Sequence, residues 1–105
     1  MTETIGSSIT SLQFALSSLY NKISGDTEKQ IEVEKNLLTL NRRVQEAIDR
    51  TPPAVDDDYK KVIEEVQEAT RKVRLAIEDT KVFARAMTAV TGVLVLLAKL
   101  LKIVF

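Results

Sequence analysis

Hydrophobic residues recur at alternating steps of four and three over 62–104. They are Val62, Val66, Ala69, Val73, Ala76, Thr80, Phe83, Met87, Val90, Leu94, Leu97, Leu101 and Val104, with Thr80 the single polar member and no proline in the run. A stagger of this period is the stripe of a helix that packs against other helices in the manner of a coiled coil. It excludes a sheet across the same residues, because a half-buried strand alternates every second residue. The chain therefore reads as all-α: a single domain over 1–105, an elongated bundle or hairpin of three helices with a long, apolar C-terminal helix. If that helix breaks, the bundle has four.

Two further stripes place the other helices. Ile5, Ile9, Leu12, Leu16, Leu19 and Ile23 repeat the stagger and define a first helix over about 2–24. Gly25 supplies the left-handed residue that ends a helix, and Asp26 or Thr27 can cap the next. Thr27 and Gln30 also have the spacing of a capping box. Val33, Leu37, Leu40, Val44 and Ala47 define a second helix over about 28–50, stopped by Pro52 and Pro53. The third is expected over about 55–105, its start favoured by Asp56, Asp57 and Asp58 at the positive end of the helix dipole. Lys60–Glu64, Lys61–Glu65, Glu68–Lys72 and Arg74–Glu78 have the i,i+4 spacing of surface ion pairs.

A continuous third helix would be about 75 Å long, roughly twice the length of either partner. Its apolar half, from Val82 onward, then has no cover. Three arrangements supply cover: a break near 79–81 or at Gly92 that folds the tail back, a second copy of the chain, or lipid.

Charge sharpens the choice. Lys and Arg total 15, as do Asp and Glu, so the net charge is zero and no global basic field attracts nucleic acid. The balance hides a gradient: residues 51–80 carry −3, while 81–105 carry Lys81, Arg85, Lys99 and Lys102 and no acid. Basic residues beside a wide apolar arc suit a helix lying at a membrane interface. The longest uncharged run in this C-terminal segment, 86–98, covers only about 20 Å and is short of a bilayer's hydrocarbon thickness. The first helix is also unusual, because residues 4–21 contain no charge and Ser7, Ser11, Ala15 and Ser18 form a stripe of small side chains. Such a stripe admits close approach of another helix, so burial on more than one side is expected.

Chemistry is sparsely provided for. The chain has no Cys and no His, which removes disulfides, thiolates and the usual bundle metal motif. The three consecutive aspartates lack the alternation and the glycine of a calcium loop. No phosphate loop, dinucleotide glycine pattern or Ser/His/Asp set is present. No catalytic, cofactor or metal residue is assigned, and no enzyme is expected. The N-terminus, Met1-Thr2-Glu3-Thr4, lacks the basic region of a secretory signal, so an intracellular protein, cytoplasmic or membrane-associated, is expected.

The functional expectation is self-assembly or interaction, with membrane association through the apolar C-terminal helix and the uncharged first helix. Ile5, Ile9, Leu12, Leu16 and Leu19 would form one contact surface. Phe83, Met87, Val90, Leu94, Leu97 and Leu101 would form the other, with Lys99 and Lys102 at headgroup level. The expected partners are other copies of the chain, membrane lipid or a larger protein assembly, and no nucleic acid. Two alternatives share the same features: a membrane-perforating helical effector, and a soluble adaptor that binds another protein through its charged middle helices.

Overall fold

The computed structural model describes the backbone of residues 5–49 and 57–104, and the side chains of 6–43 and 60–99. Helix α1 spans Ile5–Lys22 and α2 spans Thr27–Asp49. Helix α3 spans Asp57–Glu78, and after a short 3-10 turn α4 spans Phe83–Val104. Pro52, Pro53 and Asp56 lie outside the described residues.

The stretch expected as one helix over 55–105 is thus two helices. The break is at Asp79, whose backbone is extended (φ −138°, ψ 104°) and whose Oδ1 accepts the Lys81 amide at 3.0 Å. An aspartate in this conformation caps the turn that follows it. Gly92, the other candidate, is carried inside α4. The physical reason for the break is cover: folding back buries Phe83, Ala86, Met87, Val90, Val93 and Leu97, which a straight helix would leave bare. The molecule's longest dimension, 44 Å, is far below the roughly 75 Å of a continuous rod.

The turn between α1 and α2 follows the local signals. Gly25 has φ +103°, a conformation that favours glycine. Asp26, rather than Thr27, is the cap: its Oδ1 accepts the Lys29 amide at 3.2 Å and its carbonyl accepts the Gln30 amide at 3.0 Å. Gln30 does not complete a capping box, because its side-chain amide donates to the Tyr20 carbonyl across the turn.

Each helix touches two others. α1 lies beside α2 and α3, and α4 lies beside α2 and α3, so the order around the bundle is α1, α2, α4, α3. Tight turns make α1/α2 and α3/α4 antiparallel hairpins. α2 and α4 run parallel, since the Lys29 amine sits 5.4 Å from the centre of the Phe83 ring while further along Asn36 Nδ2 donates to Met87 Sδ at 3.6 Å. The core between them is one cluster to which every α-helix contributes, including Ile9, Leu12, Leu16 and Leu19 of α1, Val33 and Leu40 of α2, and Val66, Ala69, Val73 and Ala76 of α3.

Surface charge pairing departs from the i,i+4 expectation. Glu68, placed to meet Lys72, instead accepts from Arg71 Nε at 3.1 Å and from its Nη2. That hydrogen bond holds the Glu68 carboxyl below its ordinary value and raises the Arg71 guanidinium. Lys29 pairs with Asp26 at 3.6 Å, also at i,i+3.

Candidate functional site

The residues assigned to contact surfaces lie inside the monomer's own core. Ile9, Leu12, Leu16, Leu19, Val90 and Leu97 are at most 1 % exposed, and Phe83 and Met87 are buried with them. Leu94 is half-buried against the same cluster. Lys99 is exposed, as are Lys81, Arg85, Thr88, Thr91 and Gly92 on the same side of α4. The side chains of Ile5, Leu101 and Lys102 lie outside the described set. Both apolar stripes therefore face one common core, where α2 and α3 flank each of them, and in this fold they are covered within the monomer.

What remains outside is a different set. Among the large apolar residues, Phe14 is 71 % exposed, Leu38 62 %, and Ile31, Leu75 and Val95 about half. Phe14 stands on the side of α1 opposite Ile9, Leu12 and Leu16, near the middle of the helix. Around it Ser7, Thr10, Ser17, Ser18 and Asn21 are exposed and uncharged. Leu38 and Ile31 stand on the outer edge of α2 among Glu34, Lys35 and Arg42, all exposed. The expectation that α1 is covered on more than one side holds for its flanks on α2 and α3, whereas its outer face is open.

The small-residue stripe is divided by this geometry. Ala15 is buried and Ser11 half-buried on the α3 side, while Ser7 and Ser18 face outward. Ser8 is a core residue in position, 1 % exposed, yet its Oγ has no hydrogen-bond partner. It lines a cleft of about 190 Å³ between α1 and α3 together with Ser11, Gln67, Thr70 and Arg74. A second groove, of about 380 Å³ between α2 and α4, is lined by Glu32, Phe83, Ala84, Met87, Thr88 and Thr91. Among the described residues no group of three or more acidic, His or Cys side chains converges as a metal site would require.

Among the described residues one stretch, Thr80–Lys99, is long and apolar enough to cross a membrane, with a mean hydropathy of 1.7. About a third of it is buried in the bundle, and core helices of soluble proteins pass the same test. No protein-family model matches the chain, and the comparisons with curated proteins and with solved structures found no match.

Sequence reasoning missed Phe14 and Ser8 as residues of interest, although both were legible. Phe14 falls five residues after Ile9 and two after Leu12, off the stripe. Ser8 falls next to Ile9 and four residues before Leu12, on it.

Proposed function

We propose that this chain is a non-enzymatic helical interaction protein that associates with a second copy of itself through the outer face of α1. The observation that carries the reading is Phe14, 71 % exposed at the centre of a helix face without charge. Its ring leaves roughly 110–180 Å² in water. A face with no charge gains nothing from an acidic or basic partner, and matches a face that is equally uncharged. The other helices offer no such face, since α2, α3 and α4 all carry exposed charges. A two-fold axis near Phe14 brings the two rings together, and Thr10, Ser17 and Ser18 are small enough for the backbones to approach. A contact of this limited size implies a weak dimer, micromolar or weaker.

Sedimentation equilibrium of the wild type, Phe14→Ser and Leu38→Ser tests it. The wild type and Leu38→Ser should dimerise alike, and Phe14→Ser should remain monomeric with an unchanged melting temperature. A monomeric wild type at every accessible concentration, or equal effects of the two substitutions, overturns the reading.

A second reading has its own observation, the length and hydropathy of Thr80–Lys99. In it the bundle is a stored form, the α3–α4 hairpin opens at the Asp79 turn, and the apolar arc of α4 meets lipid beside Arg85 and Lys99. Sedimentation with anionic vesicles checks for association, and dye release from them checks for perforation. Replacing Leu94 and Leu97 by Asp should abolish vesicle binding, whereas charging Thr88 and Thr91 should largely spare it. Equal losses from both pairs would mean a helix surrounded on all sides and would remove the interfacial reading, and no binding by the wild type removes the lipid reading altogether.

A further inference from the structure

The four seams of the bundle are not alike. The contact of α1 with α3 is the most extensive, and that of α2 with α4 the least. On its α3 side α1 presents Ser8, Ser11 and Ala15, small side chains that let two helix backbones approach closely. Leu12, fully buried, lies in the same row between Ser8 and Ala15.

The α2–α4 seam is built from polar residues on one side. α2 turns toward α4 a row at steps of three and four, Lys29, Glu32 and Asn36, which Thr39 and Arg43 continue. The Lys29 amine stands over the Phe83 ring, and Asn36 Nδ2 donates to Met87 Sδ. Glu32 lines the groove of about 380 Å³ whose floor is Phe83 and Met87. Those two residues are only 5 % and 2 % exposed, yet what covers them on this side is polar. A thioether is a weak acceptor, and lysine, glutamate and asparagine side chains regain water when such a seam parts. Among the described residues α2 fully buries only Val33 and Leu40, whereas α1 buries a whole stripe. Parts of a protein with little apolar burial and polar contacts open at lower cost than the whole unfolds.

We propose that the bundle opens along the α2–α4 seam, the α1–α2 hairpin swinging on its contact with α3 while the turns at Gly25 and Asp79 stay formed. The open form presents the Phe83 ring and the Met87 thioether, which the closed form hides. This motion differs from an opening of the α3–α4 hairpin at Asp79. It involves neither Phe14 nor lipid, so it stands apart from both readings above.

The test is oxidation by hydrogen peroxide, read by peptide mass spectrometry at a series of urea concentrations below the unfolding transition. Peroxide passes one oxygen to the methionine sulfur and leaves as water, and a covered thioether reacts in proportion to the population of the form that uncovers it. Leu12→Met conserves core volume and places a second thioether beside the α1–α3 contact of the same molecule. Met87 should oxidise about tenfold or more faster than the introduced thioether, with a shallow dependence on urea, because a partial opening exposes little surface. The introduced thioether should react only through global unfolding and depend steeply on urea. The wild type, which carries no core substitution, should show the same Met87 rate and slope. Adding Asp79→Ala should speed the introduced thioether about fivefold, the equivalent of a lost cap, and leave Met87 unchanged at low urea, since a turn kept in the open form does not alter the opening. Equal rates and slopes at the two sulfurs would mean that only global unfolding occurs and would overturn the proposal. Faster reaction at the introduced thioether would put the opening on the wrong seam. Equal acceleration of both by Asp79→Ala would mean that the Asp79 turn comes apart, and would overturn the proposed pivot.

Discussion

Replacing Asp79 by Ala removes the side chain that accepts the Lys81 amide at the α3–α4 turn. Loss of a cap of this kind costs about 1 kcal/mol. A straight helix through 57–104 would recover about three or four backbone hydrogen bonds, each worth about 1 kcal/mol net. Against this stand Phe83, Met87, Val90, Val93 and Leu97, all at most 5 % exposed in the folded-back form. Full burial of each contributes about 1.5–3 kcal/mol, or about 8–15 kcal/mol together. Burial therefore outweighs helix continuity, and Asp79→Ala should keep the folded-back bundle while melting about 4–8 °C lower. The assay is a circular-dichroism melt combined with small-angle scattering, made in the Phe14→Ser background so that association through α1 does not intrude. The radius of gyration should stay near 13.6 Å. An elongated dimer of unchanged helicity would refute the reasoning. Two straightened chains can cover each other's α4 by exchange, and that product would mean the Asp79 turn, not core burial, selects the closed monomer.

Leu97→Ala should lose about 2–5 kcal/mol in urea unfolding, and Val95→Ala, half-exposed two residues away, no more than about 0.5 kcal/mol; similar losses would mean the apolar arc of α4 is not the core. Gly92→Ala should stabilise by about 0.4–1 kcal/mol, because a Cβ there meets nothing within 4 Å, whereas Gly25→Ala should destabilise because of its φ of +103°. Glu68 is held below its ordinary value chiefly by the Arg71 hydrogen bond, so its contribution is present above the unfolded carboxylate value and is lost as pH falls through the folded one. The difference in melting temperature between wild type and Glu68→Gln should accordingly shrink in acid and in high salt, and a difference that grew in acid would contradict the assignment.

Much of the fold was legible because core residues recur at helical period. Most buried members of α1, α3 and α4 are drawn from the staggered runs over 5–23 and 62–104, and Ser8, Ala15, Ile63, Thr70, Ala86 and Val93 widen those stripes. The turn at Gly25 and Asp26 was legible because a positive φ and an N-cap each favour few residue types. The break at Asp79 was visible only as one option. Thr80 is the single polar residue in the long run and Asp79 precedes it, but a polar residue at one core position does not by itself end a helix. What decides the break is the cover available from α1 and α2, a tertiary quantity. The same holds for the contact surfaces: Leu12 and Leu97 look identical in sequence whether another helix of the same chain, a second copy or lipid lies opposite. Phe14 became a candidate only once those stripes had been seen to lie in one shared core.

The grouping of α1 with α2 and of α3 with α4 has a further consequence for the covalent chain. Each hairpin is made from one half of the sequence, and the residues between Asp49 and Asp57 are the sole covalent link between the halves. A covalent link of this kind keeps the halves at high effective concentration. Two separate peptides, 1–49 and 57–105, each carry one open apolar stripe and neither can bury it alone. Mixed, they should recover the same four-helix core as a non-covalent heterodimer, with an affinity set by concentration where the intact chain is unimolecular. The molecule is in this sense already a complementation pair, and a reporter divided between the halves would read out their reunion.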